Sequence, residues 1–168
     1  MQSMNLLPSS GAARENLREK GQFWTPDWVA EAMVEYVFAD KGGVLFDPAV
    51  GAGAFFRAAK VIAKEKKLHY SLAGMDVDPK VLDEAIQHGL SKADVSDVEI
   101  GDFVFHVQQN KLSAIVANPP YIRHHRISLE TKEKLKRLSM KSIGVILDGR
   151  AGLHIYFLIR ALTLLEEG

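Results

Sequence analysis

Apolar positions along the chain follow two different rhythms. In "TPDWVAEAMVEYVF", from Thr25, they recur at Trp28, Val29, Ala32, Met33, Tyr36 and Val37, the spacing of one helix face. Thr25 suits a cap, Pro26 the first helical position, and Asp27 the positive end of the helix dipole. "GAGAFFRAAKVIAKEKK" (51–67) leads from glycines into a second helix with Phe55 and Phe56 as core. A third is predicted over 79–88 with Val81, Leu82, Ala85 and Ile86 inward, a fourth near 129–140, and a last over 151–166. The last, "AGLHIYFLIRALTLLEEG", is apolar nearly all round, which implies burial on most sides.

Between these lie short apolar runs without alternation: 42–48, 69–79, 97–104 and 112–121. A strand covered on both faces needs such a run, and strands interleaved with helices predict an α/β fold with a parallel sheet. Ligands of such sheets bind at the carboxyl ends of the strands. Asp47, Asp76, Asp102 and Asn118 all fall at those ends.

Composition narrows the chemistry. The chain has 168 residues, 47% of them hydrophobic, enough for one domain with a real core. Lys plus Arg equals Asp plus Glu at 21 each, so there is no overall signal for a polyanionic partner. Locally, seven Lys and Arg face two Glu between 123 and 142; a solvated helix face is the plain alternative to phosphate contacts there. The absence of cysteine excludes disulfides, thiolate catalysis and cysteine metal sites. "RHH" (123–125) lacks a third metal ligand, so no metal is expected. No run approaches the ~20 apolar residues of a membrane span, and a soluble, cytoplasmic protein without a membrane partner is the expectation.

"DPAVGAG" (47–53) joins a strand to a helix, where glycines permit tight turning and close ligand approach. An acid ahead of the glycines disfavours a phosphate and favours an amine or ammonium. With Asp76 in the position of a ribose-binding acid, the pattern suggests a nucleoside without phosphates, such as S-adenosyl-L-methionine. A turn capped by Asp47 is the simpler alternative. "NPPY" (118–121) ends the fourth run because proline removes a ladder hydrogen bond. It presents the Asn118 amide and the Tyr121 ring at the strand mouth; Asn-Pro is also a common turn pair. Trp24 and Trp28 are read as packing residues, with Trp24 alternatively edging the cofactor pocket.

Together "GQFWTP", "DPAVGAGAF", "GMDVDP", "GDFV", "NPPYIRHHRI" and "LHIYFLIRAL" resemble the adenine-N6 DNA methyltransferases of restriction-modification type, over about residues 20–168. The resemblance implies a Rossmann-like class I methyltransferase sandwich of three layers. Residues 1–22 would be an N-terminal lead and 23–168 part of a catalytic domain. Phe23, Thr25 and Pro26 would line the methionine end of the cofactor. Asp47, within Pro48 and Ala49, would receive its amino-acid part, with Gly51 and Gly53 clearing space. Asp76 and Val77 would serve the ribose, and Asp102 and Phe103 the adenine. Asn118 and the Pro119 carbonyl would hold the target amine, Pro120 would stiffen the segment, and Tyr121 would stack on a flipped base. Arg123 and Arg126 would contact DNA.

The family pattern has cysteine and serine where this chain has Val50 and Ala52. A branch at Val50 crowds the loop and Ala52 lacks a hydroxyl, so weaker cofactor binding is expected. NPPY also occurs in protein-glutamine and RNA methyltransferases, and a remnant that binds cofactor without turnover stays open. The resemblance further implies strands beyond Gly168 and a separate recognition region, hence a sheet truncated after the fourth strand and the following helix. A homodimer or a specificity subunit would cover its apolar edge.

Overall fold

The computed structural model describes residues 24–39, 41–107 and 110–166. Phe23 and the N-terminal lead lie outside the described residues. In chain order the elements are α1 (Asp27–Phe38), β1 (Gly43–Asp47), α2 (Ala54–Lys66), β2 (Tyr70–Asp76), α3 (Lys80–Gln87), β3 (Val98–Ile100), a 3-10 turn (His124–Arg126), α4 (Leu129–Ile143) and α5 (Leu153–Leu164). The three strands form a parallel sheet in the order β1-β2-β3. This is the expected alternating α/β architecture of a Rossmann-like class I methyltransferase.

The fourth apolar run extends the sheet, though more briefly than its length predicts. It joins β1 through one parallel bridge, Phe46 to Ile115. There the Phe46 amide donates to Ala114 (3.1 Å) and the Val116 amide donates back to Phe46 (2.9 Å). Pro119 and Pro120 follow at once and have no N–H to carry the ladder on. On its far side Leu112 bridges in parallel to Leu165, just after α5.

Both faces of the sheet are covered, which explains the unalternating runs. Leu45, Leu72 and Val116 point into one cluster with α1, α2 and α3, among them Val34, Phe56 and Ala85. Their neighbours Phe46, Ala73 and Ile115 point the other way, into a cluster with Phe103, Leu135, Tyr156 and Phe157 from the α4–α5 side. The face of α1 is rotated from its predicted one. Ala30, Val34 and Phe38 are buried, whereas Trp28 and Tyr36 are 74% and 86% exposed. Trp28 is therefore not a packing residue. The cause is tertiary: α1 packs along α2, and the small Ala30 permits closer approach than an indole would. α5 also keeps one exposed side, at Leu158 and Leu162.

Parallel pairing places all the strand ends together. Asp47 and Asp76 are the last residues of β1 and β2, and Asp102 lies just past β3. Gly74 makes the approach possible. A Cβ there would lie 2.6 Å from the Asp47 carbonyl and 2.6 Å from Val50 Cγ2. Val50 is buried against that bare glycine, so its branch is accommodated within the sheet rather than straining the loop.

Candidate functional site

A cavity of about 540 Å³ opens at the carboxyl ends of the strands. Its size falls within the ~300–1,000 Å³ usual for small-molecule sites. Asp47, Asp76, Asp102 and Asn118 all line it, together with Thr25, Pro48, Ala49, Gly51, Val77, Phe103 and Pro120. Pro26, Gly53, Pro119 and Tyr121 are not part of its lining.

Asp47 is the most unusual of these groups. Its side chain is fully buried. Oδ1 accepts from the Ala49 amide at 3.0 Å, so the turn-capping role is real. Oδ2 is also buried and has no hydrogen-bond partner. Burial raises its pKa from 3.8 to about 7, the Ala49 amide opposes the rise, and the nearby Asp76 adds to it. A turn needs only one oxygen; the second is buried and unpartnered in a residue that lines the cavity, and a ligand N–H or ammonium would satisfy it.

Asp76 carries a structural duty that the sequence did not disclose. Oδ2 accepts from the Gly51 amide (2.9 Å) and Oδ1 from the Asp78 amide (3.0 Å), so the carboxylate ties the glycine loop to the end of β2. Each oxygen has a further lone pair, and ribose hydroxyls remain compatible partners. Asp102 Oδ1 accepts from the Val104 amide (2.9 Å) and shapes the exit loop of β3. Phe103 lines the cavity and is otherwise buried beside Phe46 and Phe157, at centroid distances of 5.9 and 5.4 Å.

The two glycines serve different ends. Gly51 has φ 51°, and a Cβ on it would meet nothing closer than 3.9 Å, so its conformation is what requires glycine. Gly53 has φ 76°, and its Cβ would strike Leu90 Cδ1 at 2.5 Å. It clears room for the chain after α3, not for a ligand, which corrects the role expected of it.

Asn118 Nδ2 donates to the Thr25 hydroxyl at 3.2 Å. This bond links the segment before α1 to the NPPY segment, 93 residues apart, and orients the amide. Tyr121 lies between the lining residues Pro120 and Ile122 in sequence and is half exposed, with the His154 ring 5.3 Å away and tilted by 35°. Arg123 and Arg126 are exposed just beyond it. In α4, Lys134 pairs with Glu130 and Lys136 with Glu133, so both of the segment's Glu are engaged along the helix itself.

Trp24 edges the cavity, the alternative to its packing role, with its ring meeting His88 edge-on at 4.9 Å. Arg57 and Glu84 also line it and escaped sequence reasoning. They sit on helices rather than at strand ends, and no motif marked them.

Comparison with known proteins agrees with this geometry. A profile described as "N-6 DNA Methylase" matches residues 10–167. The chain belongs to the N-6 DNA methylase family. It is 25% identical over 160 residues to the Type II methyltransferase M.AccI of Acinetobacter calcoaceticus, covering 95% of this chain and 28% of that protein. It is 25% identical over 166 residues to M.TthHB8I of Thermus thermophilus, covering 97% of this chain and 36% of the relative. The chain thus spans about a third of the length of these curated relatives. In structure it resembles the type I restriction-modification methyltransferase subunit of Streptococcus thermophilus, with a TM-score of 0.61 at 18% identity, over 92% of this chain and 36% of that one. That likeness concerns the fold.

Family and fold together imply S-adenosylmethionine as cofactor, and the residues present fit it. The cavity offers an orphaned buried acid for an ammonium and several further acids for a cationic ligand. No helix among the described residues is long and apolar enough to cross a membrane.

Proposed function

We propose that residues 23–168 form the cofactor-binding and catalytic part of an enzyme that methylates the N6 amine of adenine in DNA. The convergence of Asp47, Asp76, Asp102 and Asn118 on one strand-end cavity carries this proposal. Bound S-adenosylmethionine would supply a methyl group on a cationic sulfonium.

The protein's own groups would act by position and charge. Asp47, ionised, would receive the ammonium of the methionine part. Asp76 would accept from the ribose hydroxyls while holding the glycine loop. Asp102 would accept from the cofactor's adenine amine, beside Phe103. With its Nδ2 turned toward Thr25, the Asn118 amide would offer Oδ1 to a substrate N–H. The Pro119 carbonyl would accept from the other N–H. Two acceptors bias the substrate nitrogen toward a tetrahedral shape and aim its lone pair, so alignment and electrostatics would lower the barrier, and the proton that the methylated nitrogen sheds would leave past these acceptors to solvent. A neutral Asn also avoids placing another charge beside the methyl donor.

An adenine within a duplex cannot reach a cavity of this kind, so the base must leave the stack. Tyr121, half exposed, would stack on it, a contact of roughly 1–3 kcal/mol. Arg123 and Arg126 would meet phosphates. The test is transfer of radiolabelled methyl from S-adenosylmethionine. Label recovered as N6-methyladenine in duplex DNA supports the proposal; label on RNA or protein alone, or cofactor binding without turnover, refutes it.

A further inference from the structure

The cavity is lined by four acids, Asp47, Asp76, Glu84 and Asp102. Those charges suit the ammonium and sulfonium of the cofactor but oppose the carboxylate that the same amino acid carries. Arg57 is the sole Lys or Arg lining the cavity among the described residues. It stands in the first turn of α2, with its side chain 24% exposed. Nη1 donates to the Ala52 carbonyl at 2.6 Å, which pins the guanidinium to the loop that begins at Asp47. Nη2 meets Asp27 Oδ1 at 3.3 Å, but that carboxylate is 75% exposed, so the pair adds little. The guanidinium has five N–H donors in a fork that matches a carboxylate, more than these two contacts use.

We propose that Arg57 receives the carboxylate of the cofactor's methionine moiety, opposite Asp47, which takes the ammonium. The cavity then selects ligands with an intact α-amino-acid end. This deepens the proposal of a cofactor site above and rests on it.

Calorimetry with three ligands tests it: S-adenosylmethionine, its decarboxylated form, which keeps ammonium and sulfonium, and methylthioadenosine, which lacks the amino-acid end. Wild-type protein is expected to bind S-adenosylmethionine about tenfold or more tighter than the decarboxylated form, as a charge-assisted contact implies. Arg57→Leu should erase that preference while leaving affinity for the decarboxylated ligand within about twofold, whereas Asp47→Asn weakens both ammonium-bearing ligands. Equal wild-type affinities for the two would overturn the assignment without any mutation. So would an Arg57→Leu variant that loses all three ligands alike, the mark of a brace on Ala52 alone. If Arg57→Leu does not fold, Arg57→Lys and the wild-type series decide. Binding of none of the three ligands sinks the cofactor site itself; binding of methylthioadenosine without discrimination by carboxylate sinks only the role of Arg57.

Discussion

Asp47 ties stability to pH in a direction opposite to that of most carboxylates. In the unfolded chain its pKa is near 3.8, whereas burial holds the folded value at about 7. Between those values the folded state keeps a proton that the unfolded state has released. Folding therefore takes up a proton, and stability falls as pH rises through this window. The gap corresponds to about 4 kcal/mol, fully lost above pH 7 and fully retained below pH 3.8. Asp47→Asn abolishes the titration, although its buried amide introduces a constant offset of roughly 1–3 kcal/mol. The diagnostic quantity is thus the difference in pH dependence, not the difference at one pH. Urea unfolding of both proteins from pH 4.5 to 8.5 measures it. Wild-type stability should fall relative to the variant by a few kcal/mol up to pH 7 and then run parallel. Parallel profiles across the whole range would refute the buried, uncompensated acid.

The same proton must leave when an ammonium binds, so S-adenosylmethionine affinity should rise with pH by up to about tenfold per unit below pH 7, as read by calorimetry in buffers of differing ionisation heat. Asn118→Ala should reduce methyl transfer by about 100-fold or more while cofactor affinity changes little, which single-turnover assays with parallel binding would separate. Thr25→Val removes the acceptor that orients Asn118, so it should lower kcat by a smaller factor, and Thr25→Ser should restore it. Gly74→Ala sets a methyl against the Asp47 carbonyl at 2.6 Å, where backbone cannot yield; thermal unfolding should show a loss of about 3 kcal/mol or more.

Much of the fold was legible because a strand buried on both faces and an amphipathic helix leave different patterns. Leu45 and Phe46 are both apolar since they serve opposite clusters, and that doubling marked β1 as an interior strand. The strand-end acids were legible for a related reason: parallel pairing fixes where chain ends meet, so Asp47, Asp76 and Asp102 could be placed before any packing was known. The face of α1 was not legible. Trp28 and Tyr36 fit the helical period as well as Ala30 and Val34 do, and only close packing on α2 favours the smaller residues. Nor did the sequence disclose that Asp76 anchors Gly51, or that Arg57 and His88 line the cavity, because those contacts join elements of different type across the fold. Gly53 belongs to a cofactor-like motif yet owes its place to Leu90.

The central claim is that the strand-end cavity takes S-adenosylmethionine through Asp47. A crystal structure of the chain with S-adenosylhomocysteine tests it most directly. The product's amino group should lie about 3 Å from Asp47 Oδ2, with its nucleoside running past Asp76 toward Asp102. A saturated crystal with the ligand elsewhere, or with Asp47 Oδ2 still unpartnered, would contradict it.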